Sequence, residues 1–170
     1  MTIRTFQAGD DVAQVSIYNE AGAALPHFKP ATVDDVRRRC RAPDFDPGTR
    51  FYAAPNGRPV GYVMFQPNGR VGFPWCRKGH EALAEPLLER ALDAMRQRGL
   101  TRAFTAHRAD WPAQHEFFLA RGFRPKREMV NYVLDLVEMP TPAARPSSNI
   151  GPLRPADLPA LLRSRRASCG

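Results

Sequence analysis

The sequence predicts an α/β (α+β) domain built on a mixed, mostly antiparallel central sheet and flanked by about four helices. Three observations predict it. Strand-like and helix-like segments alternate along residues 3–137 in the order strand, two helices, three strands, helix, strand, helix, strand. Two Pro-Asn-Gly-Arg turns, at 55–58 and 67–70, punctuate the middle three strands, and Asn-Gly is the strongest short hairpin signal. A basic, glycine-containing loop then leads into an amphipathic helix, in the stretch VGFPWCRKGHEALAEPLLERALDAMRQRG at 71–99.

Residues 3–6 alternate and read as a strand. Asp10 and Asp11 suit a helix N-terminus, with Val12, Val15, Ile17 and Tyr18 as its apolar residues. Thr32 is a good N-cap for a second helix, with Asp34 and Asp35 in the first turn and Arg37 to Arg39 later, an order that suits the helix dipole. Residues 51–54, 60–65 and 71–75 read as three consecutive antiparallel strands. The next helix is expected over about 83–98, where Leu87, Leu88, Ala91, Leu92 and Met95 form one apolar face. Pro86 is tolerable only in its first turn, and Gly99 is the stop signal. Residues 102–107 read as a strand, and 111–121 as a helix with Asp110 as cap, Pro112 near the first position and Gly122-Phe123 ending it. A long last strand is expected over 129–137.

Bulk properties exclude several classes. The chain of 170 residues is one domain with something left over. No apolar run of about 18 residues exists, so no membrane span is expected. The polar opening MTIRTFQAGDD is not a signal peptide. Cys40, Cys76 and Cys169 are odd in number and widely spaced, which fits free thiols in a reducing compartment, the cytoplasm, and neither a disulfide frame nor a metal site. The net charge is +8 and the pI about 10.1. Residues 140–170 hold five of the 25 basic groups and one of the 17 acids, hence half of that excess. The main domain is only mildly basic. Without a recognition helix, an aromatic stacking platform or a zinc frame, nucleic acid is not the expected partner.

The stretch at 140–148 is a Pro/Ser linker. Beyond it lies a weak internal repeat: at a constant offset of 147, Ile3, Phe6, Asp10, Ala13 and Val15 match Ile150, Leu153, Asp157, Ala160 and Leu162. Residues 149–170 therefore read as the opening strand and helix of a second copy. A lone strand and helix cannot bury enough surface to stand as a domain.

A strand feeding a loop and a helix N-terminus offers orphan N–H groups and the positive end of a dipole, a cradle for phosphate. In residues 1–139, this order and three local sequences resemble the GNAT N-acetyltransferase superfamily. The cofactor loop, Arg/Gln-x-x-Gly-x-Gly/Ala in that family, falls on Gly79-His80-Glu81-Ala82-Leu83-Ala84, anchored by Leu87-Leu88 and Gly99. The aromatic helix ending in Gly-Phe is HEFFLARGF, with Phe117, Phe118, Gly122 and Phe123 in register. The opening IRTFQAGDDVAQVSIYN is also typical.

The resemblance implies direct transfer of an acetyl group from acetyl-CoA to an amine, on a small molecule or a peptide. It implies cofactor contacts from Phe73, Pro74, Trp75, Gly79, His80, Glu81, Ala82, Leu83, Ala84 and Phe118. Gly79 stands where the family has Arg or Gln, and Arg77 and Lys78 could supply the displaced charge. Glu81 and Glu85 suit the helix dipole but compete with a phosphate. Phe118 replaces a tyrosine that in many members protonates the leaving thiolate, and Pro74 offers no N–H to the thioester oxygen; a proline there also fits a bulge that splays the sheet. No covalent nucleophile is needed, so Cys76 reads as a strand-end residue. His107 is the candidate general base, since it ends a strand at the edge where α/β ligands gather and has a suitable unperturbed pKa. Trp75 and Trp111 are packing residues or pocket walls. A second reading is a module that keeps the fold without catalysis and binds acyl-CoA or a protein partner. The acceptor, and whether the chain acts as monomer or homodimer, stay open.

Overall fold

The computed structural model describes residues 2–128, 154 and 156. The chain divides into two compact units, Met1–Lys126 and Arg127–Gly170, and the fold below is that of the first. The expected last strand at 129–137, the linker and nearly all of the tail lie outside the described residues.

Four strands form an antiparallel sheet in sequential order: β1 (Ile3–Thr5), β2 (Arg50–Ala53), β3 (Gly61–Met64) and β4 (Trp75–Cys76). Four helices accompany them: α1 (Asp10–Gly22), α2 (Val33–Cys40), α3 (Ala84–Gln97) and α4 (Pro112–Leu119). All four residues of β2 are buried, because the sheet is covered on both faces. On one face Phe51, Ala53, Val63, Phe65 and Val71 pack with Leu87, Leu88, Ala91, Met95 and Phe118 of α3 and α4. On the other, Tyr52 and Tyr62 pack with Ile17 of α1. The period-2 alternation of a strand puts Phe51 and Tyr52 on opposite sides.

The helix signals resolve one by one. Asp10 and Asp11 sit in the first turn of α1, and each also ties down another element. Asp10 makes a bidentate pair with Arg4 of β1 at 2.6 and 2.9 Å, and Asp11 pairs with Arg37 of α2 at 2.6 Å. Val15 and Ile17 are buried, but Val12 is 49% exposed. Thr32 caps α2 by accepting from the Asp35 N–H at 3.2 Å. Pro86 is the third residue of α3, where the missing N–H is an orphan in any case. The helix ends in a Schellman motif: Gly99, at φ +77°, donates to the Arg96 carbonyl and Leu100 to the Met95 carbonyl. Asp110 does not cap α4. Its carboxylate takes both arms of Arg108 at 2.8 Å, a charge-assisted fork that outcompetes a neutral amide, and Trp111 holds the cap position.

Two strands are shorter than expected. The segment 71–75 is not one continuous strand. Phe65 bridges Val71 and Tyr62 pairs with Trp75, so three steps along β3 face four on the partner. One extra residue lies between, a bulge ending at Pro74, which has no N–H for the ladder. Segment 102–107 contributes one parallel bridge, Arg70 with Phe104, made by Phe104 N–H to the Gly69 carbonyl and Val71 N–H to the Phe104 carbonyl. Past Val71 the two segments part, because the bulge turns the following residues toward β3.

Gly61 of β3 marks where α3 approaches closest: a Cβ there would meet Cys76 Sγ at 2.8 Å, Leu87 Cδ1 at 3.1 Å and the Trp75 carbonyl at 3.2 Å. We expect Gly61→Val to destabilise the fold by about 2 kcal/mol, the range of overpacking, seen as a lower urea midpoint. An unchanged midpoint would contradict the close approach. Asp46, beside the entry to β2, pairs with Arg98 at 2.5 Å. That guanidinium and the Gly48 N–H hold its carboxyl below the usual range. Asp46→Asn should cost about 0.5 kcal/mol at neutral pH, the scale of a half-exposed pair. A depressed carboxyl stabilises above its unfolded pKa and loses the effect as pH falls through the folded one, so wild type and variant should converge in acid melts.

Candidate functional site

A cavity of about 520 Å³ lies beside the bulged segment. Phe73, Pro74, Trp75 and Cys76 form one wall; Glu20, Ala21 and Leu25, from the end of α1 and just beyond, form another. Lys78, Glu81 and Ala82 of the loop, with Ala84 and Glu85 of α3, close the third side, and Ala113, Gln114, Phe117 and Arg121 from α4 and its end close the fourth.

Three aromatic rings, those of Phe73, Trp75 and Phe117, stand in the walls. Phe73 meets Trp75 and Phe117 edge-on, each at 5.2 Å between centroids. Behind Trp75 stand Tyr18 at 4.9 Å and Trp111 at 6.2 Å. The Trp111 indole N–H donates to the Pro26 carbonyl at 2.9 Å, tying the start of α4 to the α1–α2 connection. Such rings carry apolar area with fixed edge-to-face geometry.

Most of the charged groups around the cavity are paired. Arg77 pairs with Glu20 and donates to Ser16 Oγ. Arg121 lies 3.4 Å from Glu85 and 3.8 Å over the Phe117 ring. The Gly79 N–H donates to Glu81 Oε1 at 3.0 Å, and the N–H groups of Glu81 and Gly79 hold that carboxyl below its usual range. Gln114 is 3% exposed, and its Oε1 is buried with no hydrogen-bond partner. Burial, then the nearby Glu81 charge, pushes the Cys76 thiol up to about 12, so it stays protonated at neutral pH.

Of the residues the sequence singled out, Phe73, Pro74, Trp75, Glu81, Ala82 and Ala84 come together on the cavity. Among the described residues its lining does not include Gly79, His80, Leu83, Phe118 or His107. Gly79, at φ +81°, shapes the loop, and a Cβ there would meet nothing within 4 Å. His80 precedes the 3₁₀ turn at Glu81–Leu83, Leu83 packs against the core and Phe118 is part of it. The His107 ring stacks on Phe118 at 5.8 Å, 5.7 Å from His115, with its Nδ1 buried and unpartnered. Sequence reasoning missed Glu20, Gln114 and Arg121. A signal existed for two of them: Gln114 and Arg121 lie three and four residues from Phe117, on its face of the helix.

Solved structures share this architecture. The GNAT domain of S. lividans PAT matches with a TM-score of 0.61 at 20% identity, over 76% of this chain and 84% of that one. An aminoglycoside antibiotic 6′-N-acetyltransferase from Acinetobacter haemolyticus, AAC(6′)-IG, gives 0.57 at 13% identity over 80% and 99%. AAC(6′)-Iy, solved in complex with the bisubstrate analog CoA-S-monomethyl-acetylneamine, gives 0.57 at 12% identity over 79% and 97%. No family model and no curated protein matches the chain in sequence. The fold is that of the GNAT acetyltransferases, as the resemblance in the loop and the aromatic helix implied. Among the described residues no helix is long and apolar enough to cross a membrane.

Burial, then the charge of His115, lowers the His107 pKa. NMR titration should find its ring protonating below the ordinary histidine value of about 6.5. Because the folded pKa is depressed, the neutral ring favours folding above the unfolded value, and that contribution is lost as pH falls from there toward the folded pKa.

Proposed function

We propose that this chain is an acetyl-CoA-dependent N-acetyltransferase acting on an amine. The observation that supports it is the cavity at the bulge, walled by Phe73, Trp75 and Phe117 and bounded by the loop entering α3. The residues present fit the acyl-pantetheine arm. Phe73, Pro74, Trp75 and Phe117 give the cavity an apolar side, and the Gln114 Oε1 without a partner is an acceptor suited to an amide N–H. When bound, acetyl-CoA supplies an activated thioester carbonyl.

The chain's own residues would bind, orient and exclude water. Phe73, Trp75 and Phe117 would flank the arm, and Ala82 and Ala84 would let it pass close to the loop. Cys76 remains a thiol, so the reading is direct transfer with no covalent enzyme intermediate. Phe118 has no proton to give. Proton removal from the acceptor ammonium would fall to a cavity carboxylate, Glu20 or Glu85, or to water. A second reading, a module that binds acyl-CoA without transfer, draws support from Pro74, which provides no N–H, and from Phe118.

Calorimetry with acetyl-CoA, followed by an amine-acceptor screen, tests the proposal. Micromolar-range binding that Ala82→Glu abolishes is the expected result; no binding to a folded sample would sink it, and binding without turnover across the screen would favour the second reading. A general base contributes roughly 10²–10⁴-fold, and we expect His107→Gln to lose about threefold or less because His107 does not line the cavity. A loss in the hundredfold range would place the base on His107.

A further inference from the structure

We propose that this site recognises the acyl-pantetheine arm of its donor and not the donor's phosphates, because the chain's own carboxylates already occupy the groups that would meet them. The inference rests on the acetyltransferase reading and deepens it.

Three separate contacts carry it. At the loop, Glu81 Oε1 holds the Gly79 N–H at 3.0 Å. Arg77, whose charge precedes the loop, is paired with Glu20. Arg121, across the cavity, faces Glu85 at 3.4 Å. Glu20, Glu81 and Glu85 all line the cavity. A phosphate entering here would have to displace a carboxylate and would meet carboxylate repulsion on three sides. Lys78 also lines the cavity, but with Arg121 it sets two cations against three carboxylates, so the lining stays net negative.

The arm meets the opposite conditions. Its thioester end and alkyl segments suit the edge-to-face wall of Phe73, Trp75 and Phe117. Its amides are neutral, and Gln114 Oε1 is left without a donor although the residue is 3% exposed. A buried acceptor with no partner costs free energy that an incoming amide N–H would recover.

The test is calorimetry on the full chain with acetyl-CoA and with S-acetylpantetheine, which has the arm and no phosphate. Wild type should bind the two within about threefold of each other. Glu81→Gln frees the loop amide from a full charge, and should tighten acetyl-CoA by about tenfold while leaving S-acetylpantetheine unchanged. Glu20→Gln, releasing Arg77, should act in the same direction. Gln114→Leu should weaken both ligands alike. Circular dichroism and melting curves check that each variant folds; Glu81 is exposed, so its variant keeps the test decisive should Gln114→Leu fail to fold.

Wild type binding acetyl-CoA about a hundredfold or more tighter than S-acetylpantetheine would overturn the inference and leave the acetyltransferase reading standing. So would a Glu81→Gln variant that binds acetyl-CoA no better, or one that tightens both ligands equally. Binding of neither ligand by folded wild type would overturn the acetyltransferase reading, and this inference with it.

Discussion

The site depends on one surplus residue between Val71 and Trp75. Three residue steps from Tyr62 to Phe65 are matched against four on the neighbouring segment, and the mismatch interrupts the ladder between the Phe65 and Tyr62 pairs. Among the described residues, pairing with Phe104 stops at Val71. Because Pro74 has no donor, leaving the ladder here costs no amide bond at that position. The opening is therefore cheap where the sequence placed it, and the aromatic side chains on either side fill its walls.

Around the opening, the sheet is held rigid from both faces. Buried Arg50 donates to Gln14 Oε1 at 3.2 Å and the Tyr52 hydroxyl donates to the same oxygen at 2.7 Å. The Arg50 guanidinium also lies 4.9 Å from the Phe45 ring. This network joins β2 to α1 through a glutamine, so the element that bears Glu20 is fixed against the strands as well as packed on them. A cleft whose walls are anchored in this way keeps its geometry in the absence of ligand, which lowers the ordering cost of binding.

How much of this was legible in the sequence varies by residue type. Turn and cap chemistry was, because it is local: Asn56 and Gly57 both adopt positive φ, Thr32 accepts from the amide three residues on, and Gly99 closes α3. The GNAT-like order of elements was legible for the same reason, through the loop at 79–84 and the HEFFLARGF helix. The bulge was anticipated only as a suggestion at Pro74, since pairing partners are not encoded in one strand alone. Asp110 misled because a neighbouring arginine took its carboxylate. Glu20 was not legible as a site residue, since it joins the cavity through contacts distant in sequence; Gln114 and Arg121 were marked only by their spacing from Phe117. The pairing of Arg77 with Glu20, 57 residues apart, turned a cation expected to be available into a neutralised one.

The Trp111 indole bond to the Pro26 carbonyl joins residues 85 apart in the chain. It bears on the order in which the domain is assembled. The meander of β2, β3 and β4 closes short loops, whereas this contact closes a long one, and the entropy of closure grows with loop length. This bond is thus a non-local contact laid over a locally paired meander. In hydrogen exchange the exposed Trp111 indole N–H should therefore exchange faster than the buried amides of β2 and β3.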